Sequence, residues 1–242
     1  MSFLTRHAPK QICELVFRDA NARATIADYA NGQRDKHLLL YGPAGSGKSI
    51  AAQIILNSRI EHLAGSAVGT PINPRTYRFD DFEPLLRDWN AQMMDGVPRG
   101  YTVVDEVDLF SDRMLERLRA FIDSTELGTI IATTNNLHKL DEPLKDRFRK
   151  LLIERPIASD WTARAQAILA AEGVVLSAEQ VALLLNGFEG SARQLIEWLE
   201  DYVLEFQRNP LPTSGAVSPA GFIKPPVGKT LITGNSSGDA VK

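Results

Sequence analysis

The stretch that decides the fold reads His37-Leu-Leu-Leu-Tyr-Gly-Pro-Ala-Gly-Ser-Gly-Lys-Ser49. It opens with an apolar run of strand length and ends in a G-x-x-x-x-G-K-[ST] loop, and a segment of helical period follows over Ser49–Leu63. Strand, glycine-rich loop and helix in that order are the setting in which the motif holds phosphate. Glycines let the backbone curl until successive N–H groups point inward, and the following helix adds the positive end of its dipole. Gly42, Pro43, Ala44, Gly45, Ser46, Gly47, Lys48 and Ser49 are therefore the expected cradle. Lys48 would reach the β- and γ-phosphates of ATP, and the Ser49 hydroxyl would ligate Mg2+.

Around this stretch, short apolar runs alternate with helical segments, which predicts an α/β fold with a parallel sheet. Five strands are expected, at His37–Tyr41, Thr76–Phe79, Tyr101–Asp105, Thr129–Thr133 and Lys150–Ile153. Helices are expected between them at Phe82–Met94, Asp112–Ser124 and Glu142–Asp146. Asp80-Asp81 reads as the N-terminal cap of the first of these. From Pro156 onward the pattern is helical alone, over Trp161–Glu172, Ser177–Leu185 and Ser191–Phe206. The last two open with Ser177-x-x-Gln180 and Ser191-x-x-Gln194, in which hydroxyl and amide satisfy backbone N–H groups reciprocally. Trp89, Trp161 and Trp198 lie at helical spacing among apolar neighbours and read as core or interface. The expected domains are a nucleotide-binding α/β domain over 1–155 and a helical lid over 156–208. Gly, Pro and Ser make up 14 of the residues in 209–242, so that segment reads as a flexible tail.

A second chemistry-bearing stretch is Val103-Val-Asp-Glu-Val107, where an apolar strand runs into two carboxylates. Asp105 would hold Mg2+ through its water shell. Glu106, turned to the other side of the chain, would polarise an attacking water. Asp108 is either a helix cap or a site residue.

Composition sets the limits of function. The chain has 242 residues, of which 44% are hydrophobic and 24% charged, as in a globular protein. A net charge of −3 excludes strong sequence-independent affinity for nucleic acid through bulk charge, although a local basic surface is allowed. Cys13 is the single cysteine, which excludes an intrachain disulfide and a multi-cysteine zinc module. The N-terminal residues lack the apolar stretch of a signal peptide, and no run approaches the roughly 20 apolar residues of a membrane span. A cytoplasmic location without membrane partners is the expectation.

With these residues in place, the chain from about residue 8 to 206 resembles an AAA+ ATPase, and within that superfamily it is most similar to clamp-loader small subunits of the replication factor C type. Pro9-Lys-Gln-Ile-Cys-Glu-Leu-Val16 is similar to the family's adenine-wrapping segment, which makes Val16 a base contact. Val104-Asp-Glu-Val-Asp108 resembles its D-E-x-D box. Asn135-Asn-Leu-His-Lys-Leu-Asp-Glu-Pro-Leu-Lys-Asp-Arg147 resembles the stretch from sensor 1 to the arginine finger, and Gly190-Ser-Ala-Arg193 resembles the G-x-x-R of sensor 2. The resemblance implies that Asn135 senses the γ-phosphate, that Arg193 reaches it from the lid, and that Arg147 enters a neighbouring subunit's site. Arg149 is the alternative for that last role. Asp146-Arg147-Phe148 stands where loader subunits carry S-R-C, Ala8 where many have Arg, and no helical collar domain is recognised after the lid.

The resemblance thus implies an ATP-hydrolysing, Mg2+-dependent enzyme that self-associates into a ring or spiral, because an arginine donated in trans completes each site. It also implies a DNA-replication or repair motor of clamp-loader type, working with DNA and a sliding clamp. Two other readings stay open: a remodelling ATPase acting on a protein client, and a subunit whose assembly is gated by nucleotide.

Overall fold

The computed structural model describes residues 1–60, 71–77 and 80–208. Four parallel strands, β1 (Leu38–Tyr41), β2 (Gly100–Val104), β3 (Gly128–Thr134) and β4 (Arg149–Leu152), pair in the order β2-β3-β1-β4. Side chains alternate across a strand, and the apolar run of β1 divides accordingly. Leu38 and Leu40 join one core with Val103 and Ile131, while Leu39 joins the opposite core with Val104, Ile130 and Ala132. The first core is covered by α2 (Ala20–Ala30) and α3 (Lys48–Ile60). The second is covered by α4 (Glu83–Met94) and α5 (Asp112–Ser124), with Leu144 and Phe148 from the α6 (Glu142–Lys145) turn. A sheet buried on both faces needs continuous apolar strands, which is why these runs do not alternate with polar residues.

The sheet has four strands among the described residues, where five were expected. Beyond β2 the pairing shrinks to one bridge at Ile72, whose N–H donates to Val103 O at 2.9 Å and whose carbonyl accepts from Asp105 N at 2.8 Å. Pro71 and Pro74 flank it, and neither can donate to a ladder. Asn73 then turns the chain: its side-chain oxygen accepts from Arg75 N at 2.9 Å, and its carbonyl accepts from Thr76 N and Tyr77 N. The expected strand at 76–79 is therefore a turn at its first residue, and its last two residues lie outside the described residues. So do the end of the expected helix after Ile60 and the expected tail 209–242.

Helix α2 is not among the expected elements, although its signals are present. Asp19 accepts from Asn21 N at 2.9 Å as an N-cap, and Ala22, Ile26, Tyr29 and Ala30 recur on one buried face. Trp89 is buried in α4, with its indole N–H on Thr102 Oγ1 at 2.8 Å. Ahead of that helix, Asp81 accepts from Glu83 N at 3.2 Å.

Helices α7 (Ala158–Ala171), α8 (Ala178–Leu184) and α9 (Ala192–Arg208) enclose a separate core that contains Trp161 and Trp198. Both expected capping boxes form: Ser177 and Ser191 each exchange hydrogen bonds with the Gln three residues on, at 2.8–3.3 Å. Phe3 of α1 (Phe3–Arg6) is a member of this helical core, so the N-terminal turn packs on the lid. No helix among the described residues is long and apolar enough to cross a membrane.

Candidate functional site

Because all strands are parallel, β1, β2 and β3 deliver their following residues to one edge of the sheet, the edge where α/β folds bind ligands. β1 runs into the glycine-rich loop, β2 into Asp105 and Glu106, and β3 into Asn135. Gly45 and Gly47 hold φ of +75° and +93°, a region that an L side chain rarely adopts, and this curls the loop. A Cβ on Gly45 would also lie 2.7 Å from the Ser191 Cβ, so the start of α9 sits directly on the loop. Ala192 N faces Gly45 O at 3.5 Å, and the Arg155 guanidinium donates to Ala44 O at 3.1 Å.

Lys48 is 6% exposed, and its ammonium lies inside the loop. It donates to Pro43 O at 2.7 Å, Gly42 O at 3.0 Å and Ser46 Oγ at 3.5 Å. Burial pushes its pKa below the ordinary lysine value, while the nearby carboxylates of Asp105, Asp108 and Glu106 oppose that shift.

Facing it, the Ser49 hydroxyl donates to Asp105 Oδ1 at 2.7 Å, which places the two expected metal oxygens side by side. Thr133, on the neighbouring strand, donates to the same Asp105 oxygen at 2.6 Å and accepts the Glu106 N–H at 3.0 Å. Glu106 itself is the sole non-glycine with positive φ among the described residues, at 54°. That left-handed turn swings its carboxylate away from Asp105, where the Arg75 guanidinium meets it at 3.3 Å. Asp108, 9% exposed, accepts from Thr134 Oγ1 at 2.8 Å and Asn135 N at 3.4 Å. It ties the carboxylate turn to the end of β3 and so sets the position of Asn135.

Beside this network lies a cleft of about 760 Å3 between the sheet edge and the helical lid. Ala44 to Ser49, Glu106, Thr133 and Asn135 form its polar floor, and Ser191, Ala192 and Arg193 close it from the lid. Val16, Phe17, Trp161, Ile168 and Ile196 give it an apolar lining as well. The segment before Phe17 is fixed to the lid: Arg164 donates to Glu14 Oε1 at 3.1 Å and to His7 O at 3.0 Å. The Lys10 N–H beside the Glu14 carboxylate, together with Arg164, holds that group below the usual carboxylate range. An apolar lining, a floor that carries the Lys48 ammonium and a helix N-terminus suit a nucleotide.

A divalent cation fits this floor on the chemistry of its donors. No cluster of three or more His, Cys, Asp or Glu side chains able to hold a metal exists among the described residues. Mg2+ needs none, since it takes one or two protein oxygens, several waters and the substrate's phosphates. The adjacent Ser49 and Asp105 oxygens are such a pair.

Of the sequence-predicted residues, Val16, Lys48, Ser49, Glu106, Asn135 and Arg193 line the cleft, and Asp105 is bonded to Ser49. Arg147 does not line it. It sits on the turn before β4 and makes a bidentate pair with Asp123 at 2.6 Å through Nε and Nη2. Arg149 is exposed at the start of β4. The sequence reading missed Thr133 and Arg75. The register Val104↔Ala132 sets Asp105 beside Thr133, so Thr133 follows once strand pairing is known. Arg75 gave no local signal, because only the fold brings it to Glu106.

Residues 38–155 match the model of the family described as "ATPase family associated with various cellular activities (AAA)". Among curated proteins, Replication factor C subunit 4 of Encephalitozoon cuniculi is 24% identical over 202 residues, covering 81% of this chain and 63% of that protein. Replication factor C small subunit 1 of Pyrobaculum arsenaticum is 22% identical over 206 residues, covering 81% of this chain and 60% of that protein. The chain thus spans about three fifths of the length of these two relatives. Among solved structures, the Thermotoga maritima RuvB Holliday junction branch migration motor superimposes with a TM-score of 0.62 at 18% identity, covering 86% of this chain and 67% of that one. A point variant of the same motor gives the same values. A TM-score of 0.62 at that identity shows a common fold alone.

Proposed function

We propose that the chain, whose residues 38–155 match the AAA family model, binds and hydrolyses ATP, completes its site by self-association, and serves as a clamp-loader-like motor on DNA. The observation that carries the reading is the convergence of Lys48, Glu106, Asn135 and Arg193 on one cleft that has an apolar lining as well.

Phosphoryl transfer asks a protein mainly for positioning and for charge placed where the transition state develops it. Lys48 leaves the Pro43 and Gly42 carbonyls for the β- and γ-phosphate oxygens, which attract an ammonium more strongly than neutral carbonyls do. Glu106 accepts the proton side of the attacking water once it is clear of Arg75. Asn135 lies between that water and the γ-phosphate, and Arg193 reaches the phosphate from the first turn of α9. Arg193 has no hydrogen-bond or ion-pair partner among the described residues, and a cation in a first helical turn opposes the dipole, so its position favours a ligand role. Mg2+, held by Ser49 and Asp105, would neutralise phosphate charge. Arg147 of a neighbouring copy supplies the final cation, which its own cleft lacks.

The likeness to two Replication factor C subunits supports DNA and a sliding clamp as partners. Steady-state ATP turnover of the full chain, with and without primer-template DNA, tests the reading. DNA-stimulated turnover that falls per subunit on dilution is expected. Stimulation by a protein client alone would favour remodelling, and turnover indifferent to dilution would contradict self-association.

A further inference from the structure

Arg147 is not free to wander. Its Nε and Nη2 each donate to one oxygen of Asp123 at 2.6 Å, and Nη1 donates to the Pro143 carbonyl. A guanidinium has five N–H donors in a planar fork. Three are engaged within the chain, which leaves one on Nη1 and one on Nη2. The base of the fork is equally fixed: Arg147 N donates to Leu144 O at 3.2 Å, and Phe148 next to it is buried among Leu140, Leu144 and Leu118. Asp123 belongs to the last turn of α5, where a carboxylate opposes the negative end of the helix dipole. That placement gains the helix nothing, yet the pair holds the Arg147 pKa above and the Asp123 pKa below their ordinary values, through their mutual hydrogen bonds.

We infer that Asp123 is a positioning residue for Arg147, holding its guanidinium so that the two unengaged N–H groups are presented to a phosphoryl group on a neighbouring copy. The inference rests on the reading above that Arg147 acts in trans. A long exposed arginine loses much rotamer freedom when it engages phosphate. Asp123 and the Pro143 carbonyl impose that loss in advance, so the fork meets the transition state without reordering. Because three donors serve the anchor and two serve the phosphate, the anchor need not be surrendered when the neighbour docks.

The test uses two full-length chains that cannot work alone: a donor carrying Lys48→Ala, which contributes only its Arg147, and an acceptor carrying Arg147→Ala, which contributes only its cleft. Their mixture is assayed for ATP turnover across ATP concentrations. Adding Asp123→Ala to the donor is expected to lower kcat of the mixture about tenfold with KM unchanged, since only transition-state alignment is lost. Adding it to the acceptor, whose fork is already gone, is expected to leave the mixture within about twofold. Asp123→Asn in the donor keeps an acceptor oxygen and should fall between the two. An unchanged kcat in the donor arm overturns the inference, and so does a rise, which would mark Asp123 as a latch competing with phosphate. An equal fall in both arms overturns it too, by making Asp123 a structural residue. If the plain donor and acceptor mixture shows no turnover, the trans reading itself fails and this inference falls with it.

Discussion

In the proposed mechanism Lys48 and Arg147 both serve the phosphates of ATP, and the molecule treats them in opposite ways. Lys48 lies 6% exposed inside its loop, where burial depresses its pKa and backbone carbonyls occupy its donors. Arg147 stands outside the cleft with its side chain 30% exposed, clamped by a carboxylate that raises its pKa. Lys48 is buried beside three carboxylates, which oppose the desolvation that lowers its pKa. An arginine that must cross a subunit boundary has to stay at the surface, and a surface cation works as a catalytic group only if something holds it still. On the proposed reading, the difference separates a binding cation, built into one chain, from a turnover cation that a second chain would bring.

Substitution should pull the two apart. Arg147→Ala is expected to lower kcat about 10³-fold while ATP affinity changes little, the size seen when a trans arginine is removed from phosphoryl-transfer sites. Lys48→Ala should instead abolish measurable ATP binding in a fluorescent-nucleotide titration. Similar losses of affinity in both variants would erase the distinction. A smaller effect is expected at the lid. Gly45→Ala forces a Cβ to 2.7 Å from the Ser191 Cβ at a φ that alanine resists, so ATP should bind about tenfold more weakly with kcat largely kept.

His37 shows what burial does to a base that nothing keeps charged. Its Nδ1 accepts the Ile130 N–H at 2.9 Å, and burial, with Arg99 and Lys36 nearby, pushes its pKa down to about 4. An unfolded histidine titrates near 6.5. The folded pKa is the lower one, so the unfolded chain binds the extra proton first, and stability that is full above about pH 6.5 drains away as pH falls toward 4. Urea unfolding at pH 5 should show a loss of about 2 kcal/mol relative to pH 7.5 from this group. A His37→Gln chain should show a flatter profile between those two pH values, and a profile as steep as the parent's would remove His37 as the cause.

How far the site could be read from sequence follows from the same contrast. Residues that act through local geometry were legible: the loop from Gly42 to Ser49 carries its own turn chemistry, and the capping boxes at Ser177 and Ser191 need only three residues' spacing. The alternating cores were legible in outline, because a strand such as Leu38-Leu-Leu40 can be apolar throughout only if both faces are covered. Residues that act through long-range pairing were not. Thr133 matters because β2 lies against β3, Arg75 because Ile72 bridges to Val104, and Asp123 because α5 ends beside the Arg147 turn. Among the described residues the expected fifth strand is absent for a local reason: the alternation of polar and aromatic residues in Thr76-Tyr-Arg-Phe79 reads as a strand, while the prolines at 71 and 74 confine pairing to Ile72.

The claim at the centre, that one chain binds ATP and the next supplies the cation that lets it be cleaved, is tested most directly by mixing the Lys48→Ala and Arg147→Ala chains and measuring ATP turnover. Each alone should be inactive, and the mixture should recover turnover that rises with protein concentration. A mixture as inactive as its components, beside an unsubstituted chain that keeps its full rate per subunit when diluted, would contradict the account.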